Sequence, residues 1–258
     1  MGDMNGQVAV VTGGTRGIGL AISERLLNRG VTVAAGYATN HDHAGQFADK
    51  YADRGVSVHQ GNVGHNEDVL RVFGEVLDRH GHVDIVVNNA GITIDKTVRK
   101  MDPQEWDHVI HVNLSGAFYT SRAVLQHMLD RGYGRIINIS SIVGQTGFGM
   151  VLPYVASKFA VTGMSQSLAA ELAPHNITVN SIHPGVLETD LHSAVVQAFN
   201  QLRNISIEDG WEWFRGRIPL GRFQTPRDIG EMAAFLASDR AQNITGASFN
   251  VDGGWEMH

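Results

Sequence analysis

Short apolar runs alternate with longer amphipathic stretches along the whole chain. The runs are nearly continuous in valine, isoleucine and alanine, which is typical of strands that are covered on both faces. The stretches between them place apolar residues on one stripe of a helix, as Ile18, Ile22 and Leu26 do. This alternation predicts one doubly wound, parallel α/β sheet of about seven strands with helices on both faces. The predicted strands are 8–12, 31–35, 56–59, 83–87, 135–139, 177–182 and 248–251.

Composition narrows the classes of protein and of partner. The chain has 258 residues and no linker-like, low-complexity or repeated segment, so we expect one domain over 1–258. It has no cysteine, which excludes disulfides, thiolate metal sites and cysteine nucleophiles. The net charge of −6 comes without a basic stripe, so neither nucleic acid nor a membrane is an expected partner. No apolar run approaches the ~18 residues of a membrane span, and the N-terminus is short and polar, which predicts a soluble cytoplasmic protein.

A glycine-rich segment follows the first predicted strand and leads directly into the first predicted helix. Glycines let backbone amides approach a diphosphate, and a helix N-terminus adds a favourable dipole for an anion. A plain glycine-rich turn is the alternative, but the position after the first strand favours dinucleotide binding in a Rossmann-type fold. The predicted cofactor contacts here are Gly13, Thr15, Arg16, Gly17, Ile18 and Gly19.

Tyr154 and Lys158 are spaced so that their side chains share one face of a helix. A phenol titrates near ~10, and a positive charge about 4 Å away contributes roughly 4 kcal/mol at an effective dielectric of ~20. That interaction lowers the pKa of a tyrosine by up to ~3 pH units, which makes it a usable acid near neutral pH. Ser141 lies thirteen residues upstream of Tyr154. Alone, the pair also fits an ordinary amphipathic helix, and the other motifs decide between the two interpretations.

Six motifs occur together in this chain. They are T-G-x-x-x-G-x-G at 12–19, N-N-A-G at 88–91, Asn113, Ser141, Y-x-x-x-K at 154–158, and Pro184-Gly185 with Thr189. Their order and spacing resemble the short-chain dehydrogenase/reductase family over essentially the whole chain. The resemblance implies an oxidoreductase in which Tyr154 exchanges a proton with a carbonyl oxygen and Ser141 donates to that oxygen. It also implies that Lys158 lowers the pKa of Tyr154 and binds the nicotinamide ribose, and that Asn113 holds a water connected to Lys158.

The resemblance further implies NADP(H) as the preferred cofactor, with NAD(H) as the alternative. NAD-binding relatives have an acid at the end of the second strand, where this chain has Tyr37, and Arg16 can reach a 2′-phosphate. By the same resemblance, Asn62 and Val63 flank the adenine. The other cofactor contacts that it implies are Asn89, Ala90, Gly91, Tyr154, Lys158, Pro184, Gly185, Val186 and Thr189.

Substrate contacts are expected on two segments, 141–148 and a long lid at about 187–220 that contains Trp211 and Trp213. Aromatic side chains supply large apolar contact areas, and such lids commonly close over a substrate. Anchoring of the lid to the body of the protein or to another subunit is an equal alternative for the two tryptophans. The expected substrate contacts are Ser141, Gln145, Phe148, Tyr154 and Trp211.

The segment 88–149 resembles acetoacetyl-CoA reductases and other 3-oxoacyl-thioester reductases. This resemblance favours NADPH-dependent reduction of a 3-oxoacyl thioester carried by CoA or by a carrier protein. Arg131 is the basic candidate for meeting an acidic carrier protein. The alternatives are a reductase or dehydrogenase of another small ketone, a sugar or a polyol. A non-catalytic nucleotide-binding scaffold belongs to a different class, but such a protein would be expected to lose Tyr154 or Lys158.

Two further patterns concern a metal and an assembly. The chain has thirteen histidines, but none of the close pairs, such as His41 and His43, is joined by an acidic cluster or by cysteine at ligand spacing, so no metal site is expected. The predicted helix 153–173 is apolar on more than one face, which indicates self-association. The family resemblance implies a homotetramer.

Overall fold

The computed structural model describes residues 4–257, and the side chains at 190–192, 194, 201 and 202 lie outside the described set. Within it, seven parallel strands form one sheet in the order β3-β2-β1-β4-β5-β6-β7. The predicted fold class is confirmed, and each predicted strand begins and ends within two residues of an observed one. The strands are β1 (Val8–Val11), β2 (Thr32–Tyr37), β3 (Ser57–Gln60), β4 (Ile85–Asn88), β5 (Gly134–Ile139), β6 (Ile177–Pro184) and β7 (Ser248–Val251).

Helices occupy the connections between the strands, and several of their ends are encoded locally. Asp102 and Glu105 form a capping box at the start of α4, and Thr225 and Asp228 form one at the start of α9. A π-helical turn, His111–Ser115, joins α4 to α5. The helices are α1 (Gly17–Leu27), α2 (His41–Lys50), α3 (Asn66–His80), α4 (Pro103–Ile110), α5 (Gly116–Arg131), α6 (Leu152–Leu172), α7 (Asp190–Arg203), α8 (Ile207–Arg215) and α9 (Pro226–Leu236).

Both faces of the sheet are buried, as the continuous apolar strands predict. On one face, Val11 belongs to a core cluster with Leu26 of α1 and Ile229 of α9. On the other face, Val10 belongs to a cluster with residues of α3, α5 and α6, among them Val124. Successive residues of a strand point to opposite faces, so one apolar run serves both helical layers.

The strand order reverses between β1 and β4, and in such sheets the ligand cleft lies at the carboxyl ends of the strands beside that point. A third apolar cluster connects α7 and α8 to the loop after β5. Its buried members are Ile142, Val186, Val196, Phe199 and Phe214. No helix in the described part of the chain is long and apolar enough to cross a bilayer.

Candidate active site

A cavity of about 840 Å³ lies along the carboxyl edge of the sheet. The segments that follow six strands, β1 to β6, contribute to its lining. The structure therefore brings most of the predicted site residues together. Those that line the cavity are Gly13, Thr15, Arg16, Gly17, Ile18, Gly19, Tyr37, Asn62, Val63, Asn89, Ala90, Gly91, Ser141, Tyr154, Lys158, Pro184, Gly185 and Thr189.

The loop after β1 is shaped by glycines and tied down by neighbouring side chains. Gly13 and Gly17 have φ values of 62° and 54°, which other residues rarely adopt. Asn89 Nδ2 donates to Thr12 O and to Gly13 O at 2.9 and 3.2 Å, and Thr12 Oγ1 accepts the backbone N–H of Asn89 at 3.0 Å. A Cβ built at Gly19 would lie 2.6 Å from Asn89 Nδ2, so only glycine fits this cradle.

The N-terminus of α1 opens onto the same cavity. Its N-cap residue, Arg16, makes no side-chain cap, and the first turn of the helix contains no acid. The first N–H groups of a helix need partners, and the helix dipole makes an anion a favourable one. These residues fit the diphosphate of a dinucleotide.

The end of β2 forms a cup at one side of the cavity. Tyr37 lies edge-on to His41, with 3.4 Å between the Tyr37 hydroxyl and His41 Nδ1. His43 also lines the cup, and its backbone N–H donates to the Asn40 side chain, the N-cap of α2. None of the lining residues at the end of β2 and just after it is acidic, and the carboxylate that the lining does contain, Asp68 of α3, accepts the Asn62 N–H at 2.9 Å. The lining residues at the end of β2 and just after it are Gly36, Tyr37, Ala38, Thr39, Asn40 and His43.

His43 and Asn40 were not among the residues predicted from the sequence. The signal that could have found them is their place in the first turn after β2, because the segment after a strand's carboxyl end faces the ligand cleft. The two residues predicted for the adenine end do line the cavity. There, Asn62 Oδ1 accepts the Gly64 N–H at 3.0 Å, which fixes the turn after β3.

Helix α6 brings Tyr154 and Lys158 to the cavity, and the loop after β5 brings Ser141 to the same place. The Ser141 side chain lies close enough to the Tyr154 phenol to lower the pKa of that phenol. Lys158 Nζ donates to Ile139 O at 2.7 Å and lies 5.5 Å from the centre of the Tyr154 ring. A hydroxyl, a phenol and an ammonium group therefore meet at one point of the cavity.

Burial dominates the ionisation of Tyr154 and Lys158. It raises the pKa of Tyr154 to about 12, although the Ser141 side chain lowers this pKa and the Asp95 charge raises it further. Burial also lowers the pKa of Lys158 to about 8. The expectation of an acidic phenol therefore does not hold for these residues alone, because burial disfavours the phenolate and Lys158 is not among the groups that lower this pKa. Near pH 7 the phenol is protonated, which is the form that a proton donor needs.

Asn113 lies just behind the cavity, in the π-helical turn between α4 and α5. Its Oδ1 accepts the Ile92 N–H at 2.9 Å, and its Nδ2 donates to Ile92 O and to Ser157 Oγ at 2.9 and 3.1 Å. A Cβ built at Gly91 would lie 3.4 Å from Asn113 Oδ1 and 3.6 Å from Lys158 Nζ. The side chain of Asn113 thus fixes the loop after β4 beside Lys158.

The remaining predicted residues lie in the lid cluster and do not line the cavity. Val186 is buried there with Ile142. Trp211 lies edge-on to Phe223, with ring centres 5.3 Å apart. Trp213 packs within the same cluster, so the structure shows both tryptophans in the anchoring arrangement.

Phe148 and Gln145 flank this cluster from the loop after β5. The Phe148 ring lies 6.4 Å from that of Phe199 and 6.1 Å from that of Phe214. Gln145 Oε1 is buried and has no hydrogen-bond partner. The segment after Ser141 therefore brings one aromatic ring to the lid cluster and one buried amide oxygen that can still accept a hydrogen bond, and neither side chain lines the cavity.

Arg131 does not lie at the mouth of the cavity. Its guanidinium donates to Asp84 Oδ1 at 3.0 Å, and Asp84 immediately precedes β4. That position is at the amino edge of the parallel sheet, opposite the carboxyl edge that holds the cavity. The expectation that Arg131 meets a carrier protein at the site mouth is therefore wrong.

The cavity places an anion-binding helix end and a tyrosine–lysine–serine group at the carboxyl edge of a doubly wound sheet. This layout defines the class of a Rossmann-type oxidoreductase that uses a dinucleotide. The family model described as short chain dehydrogenase matches residues 7–199, and the chain belongs to that family. The family and the oxidoreductase class predicted from the sequence are confirmed.

Relatives resemble the chain over nearly its whole length. The 3-oxoacyl-[acyl-carrier-protein] reductase FabG of Aquifex aeolicus is 38% identical over 254 residues, which cover 97% of this chain and 98% of that protein. The FabG of Vibrio cholerae is 39% identical over 255 residues, which cover 99% of both proteins. A crystal structure of an actinorhodin polyketide ketoreductase variant with NADPH matches with a TM-score of 0.93 and 34% identity over 98% of both chains.

Among the described residues, no group of three His, Asp or Glu side chains is arranged to hold a metal ion.

Proposed function

We propose that the chain is an NADPH-dependent reductase that converts the ketone of a 3-oxoacyl thioester to an alcohol. One observation carries the proposal. Ser141, Tyr154 and Lys158 lie together in the cavity, and the N-terminus of α1, which has no side-chain cap, faces the same cavity. Relatives named for 3-oxoacyl-[acyl-carrier-protein] reduction and a neighbour with NADPH support the substrate class and the cofactor. The reduced nicotinamide, when bound, supplies the hydride.

The side chains of the catalytic set complete the reaction. The Tyr154 phenol donates its proton to the ketone oxygen as the carbonyl carbon receives the hydride, which leaves an alcohol and a phenolate. The Ser141 hydroxyl donates a hydrogen bond to the same oxygen, where negative charge builds. Lys158 places its ammonium beside the phenolate and stabilises it until a proton returns from solvent. Because both ends of the Asn113 side chain are already hydrogen-bonded, the relay water proposed at Asn113 is expected on its backbone.

The cofactor is proposed to lie with its diphosphate on the N-terminus of α1 and its adenosine at the end of β2. Arg16, Tyr37 and His43 surround the expected place of the 2′-phosphate, which favours NADP(H) and leaves NAD(H) as the alternative. Asn62 and Val63 are proposed to flank the adenine. The nicotinamide end is proposed to meet Pro184, Gly185 and Thr189, and Val186 through its backbone only.

The acyl chain is proposed to enter beside Ser141 and Tyr154, against the wall that Gln145 and Phe148 form. Trp211 keeps a proposed substrate role only if the lid at 187–220 rearranges, because its ring packs on Phe223. Since Arg131 is paired at the opposite edge, the described residues offer no support for docking a carrier protein through it. Comparing acetoacetyl-CoA with acetoacetyl carrier protein as substrates separates the two carriers.

The test of the proposed function is loss of NADPH absorbance with acetoacetyl-CoA, acetoacetyl carrier protein, diketones and sugars. A turnover with the thioesters that exceeds the others supports the proposal. A preference for a sugar, a polyol or an unrelated ketone would replace the substrate class. NADPH binding without turnover of any of them would favour the scaffold.

We further propose that residues 1–258 form a single domain, that the protein assembles as a homotetramer and that it is located in the cytoplasm. Phe118 on α5 is 47% exposed and Phe159 on α6 is 45% exposed, and exposed aromatic rings on neighbouring helices support a covered surface. Light scattering of the purified protein at micromolar concentration tests the assembly. A monomer mass would contradict it.

A further inference from the structure

His183 is a fully buried histidine beside the catalytic set, and the reaction proposed above does not use it. It lies near the carboxyl end of β6 with 0% of its surface exposed. Ser181, two residues earlier, shares its face of the sheet. Val179 on the same face packs in a cluster with Leu172 of α6, so His183 lies on the face that α6 covers.

A chain of hydroxyl groups fixes one side of the His183 ring. His183 Nε2 lies 3.0 Å from Ser181 Oγ, and Ser181 Oγ lies 2.9 Å from Ser248 Oγ on β7. A neutral imidazole has one donor nitrogen and one acceptor nitrogen. Two directions of donation fit this chain. When Ser248 donates to Ser181 and Ser181 donates to Nε2, the ring proton lies on Nδ1, and this is the tautomer that the inference below uses.

The other side of the ring faces the catalytic segment. Nδ1 is buried and has no hydrogen-bond partner, which is a costly state for a polar nitrogen. Burial lowers the pKa of His183 to about 4; the Ser141 backbone and Asp252 act to raise it, and Lys158 lowers it. These groups face the ring from the loop after β5, from α6 and from the segment after β7. The ring is therefore neutral near pH 7. Ser140 N–H donates to Ile182 O at 2.8 Å, which places the Ser141 backbone beside His183 and makes it the nearby acceptor for an N–H at Nδ1.

We propose that His183 is a positioning residue, whose Nδ1–H holds the Ser141 backbone and thereby aims the Ser141 hydroxyl at the ketone oxygen. The Ser181–Ser248 pair holds the ring in place, so β7 is coupled to the catalytic serine. Fixing the Ser141 backbone matters because a hydrogen-bond donor stabilises the transition state only when it is preorganised. The inference rests on the role of Ser141 in the proposed function.

Two conservative substitutions separate the two sides of the ring. Asparagine places its amide near the position of Nδ1, and glutamine places its amide near the position of Nε2. His183→Asn therefore keeps a donor toward Ser141, whereas His183→Gln keeps only the contact with Ser181. We expect His183→Asn to retain most of the wild-type kcat and kcat of His183→Gln to fall roughly tenfold. This loss is smaller than the loss of about 10²–10³-fold in kcat that follows removal of an oxyanion-hole donor. The NADPH Kd is expected to stay unchanged in both variants.

A double-mutant cycle with Ser141→Ala distinguishes positioning from packing. The kcat loss caused by His183→Gln is expected to vanish in the Ser141→Ala background, because the hydroxyl that it aims is gone. Ser181→Ala, which frees the ring without touching His183, is expected to lower kcat in the same non-additive way. It serves as the second variant if His183→Gln fails to fold, as judged by circular dichroism.

Four results overturn the inference. The first is a His183→Gln enzyme with wild-type kcat, and the second is an equal kcat loss in His183→Asn and His183→Gln. The third is a kcat loss of His183→Gln that persists in full in the Ser141→Ala background. The fourth is a Ser141→Ala enzyme with wild-type kcat. The last result removes the proposed role of Ser141 itself. The first three leave that role intact and reject only His183, so the two failures are distinguishable.

Discussion

Gly19→Ala tests whether the loop after β1 holds the diphosphate of the cofactor. A Cβ at Gly19 would overlap the Gly13 carbonyl group and lie 2.6 Å from Asn89 Nδ2. Neither neighbour can move freely, because Asn89 Nδ2 donates to Thr12 O and to Gly13 O. The substitution therefore displaces the backbone that forms the phosphate loop.

The magnitude follows from three contributions. Alanine gains about 1 kcal/mol over glycine in a helix, and overpacking against this backbone costs typically about 1–3 kcal/mol. A loop shift that breaks one hydrogen bond to the charged diphosphate removes about 1.5–3 kcal/mol of binding, or roughly 10- to 100-fold in Kd. Stability thus falls by about 0–2 kcal/mol for Gly19→Ala, while NADPH affinity falls at least tenfold.

The assay is NADPH titration by fluorescence together with thermal unfolding, with Gly74→Ala as the matched control. Gly74 lies within α3, and a Cβ there meets no atom within 4 Å. The control should bind NADPH normally and gain about 1 kcal/mol in stability. A Gly19→Ala protein that binds NADPH as tightly as the control would refute the reasoning.

Three further predictions concern the cofactor, the catalytic lysine and pH. Tyr37→Asp should shift the preference in kcat/KM toward NAD(H), because a carboxylate repels the 2′-phosphate and accepts a hydrogen bond from a ribose 2′-hydroxyl. An unchanged ratio of kcat/KM for NADP(H) and NAD(H) would contradict the proposal that the end of β2 selects the cofactor. Lys158→Ala should lower kcat and also raise the NADPH Kd, and an unchanged Kd in a binding titration would count against the ribose contact. The free energy of unfolding should fall as pH drops from 6.5 toward 4, and His183 should account for up to about 3 kcal/mol of that fall. The reason is that burial lowers the pKa of His183 to about 4 in the folded protein, so the unfolded chain binds the proton first. Urea unfolding at both ends of that range should show a smaller fall for His183→Asn, and an equal fall would reject the assignment to His183.

The strands could be predicted closely because their signal is local. The central strands are runs of β-branched and small apolar residues that are buried on both faces, whereas β3 and β7 at the edges are more polar and partly exposed. Two strands run two residues past their predicted ends, β2 to Tyr37 and β6 through His183 to Pro184. The extension of β6 depends on pairing with β7, where Pro184 is opposite Val251, and a partner strand distant in sequence leaves no local signal.

Other parts of the site depend on contacts between distant segments. Arg131 pairs with Asp84 at the amino edge of the sheet, a partner that the sequence around Arg131 does not indicate. Trp213 packs on Phe199 with ring centres 4.5 Å apart, and Arg217 lies 3.9 Å from its ring. These contacts, not the aromatic composition of the lid, place the tryptophans away from the cavity.

The balance of charge and burial at Tyr154 was also beyond the sequence. The helical spacing correctly placed a cation beside the phenol, with Lys158 Nζ 5.5 Å from the ring centre. It did not show that desolvation would be the largest influence on the pKa of each group. The depth of a side chain in a cavity is fixed by the whole fold.

The proposed reductase function requires that the Tyr154 phenol delivers the proton to the ketone. The most direct measurement is kcat of Tyr154→Phe together with its NADPH Kd, since this substitution removes only the hydroxyl. We predict a kcat loss of about 10²–10⁴-fold, the usual contribution of general acid catalysis, with NADPH binding nearly intact. A Tyr154→Phe enzyme that turns over within about tenfold of the wild-type rate would contradict the assignment of Tyr154 as the acid.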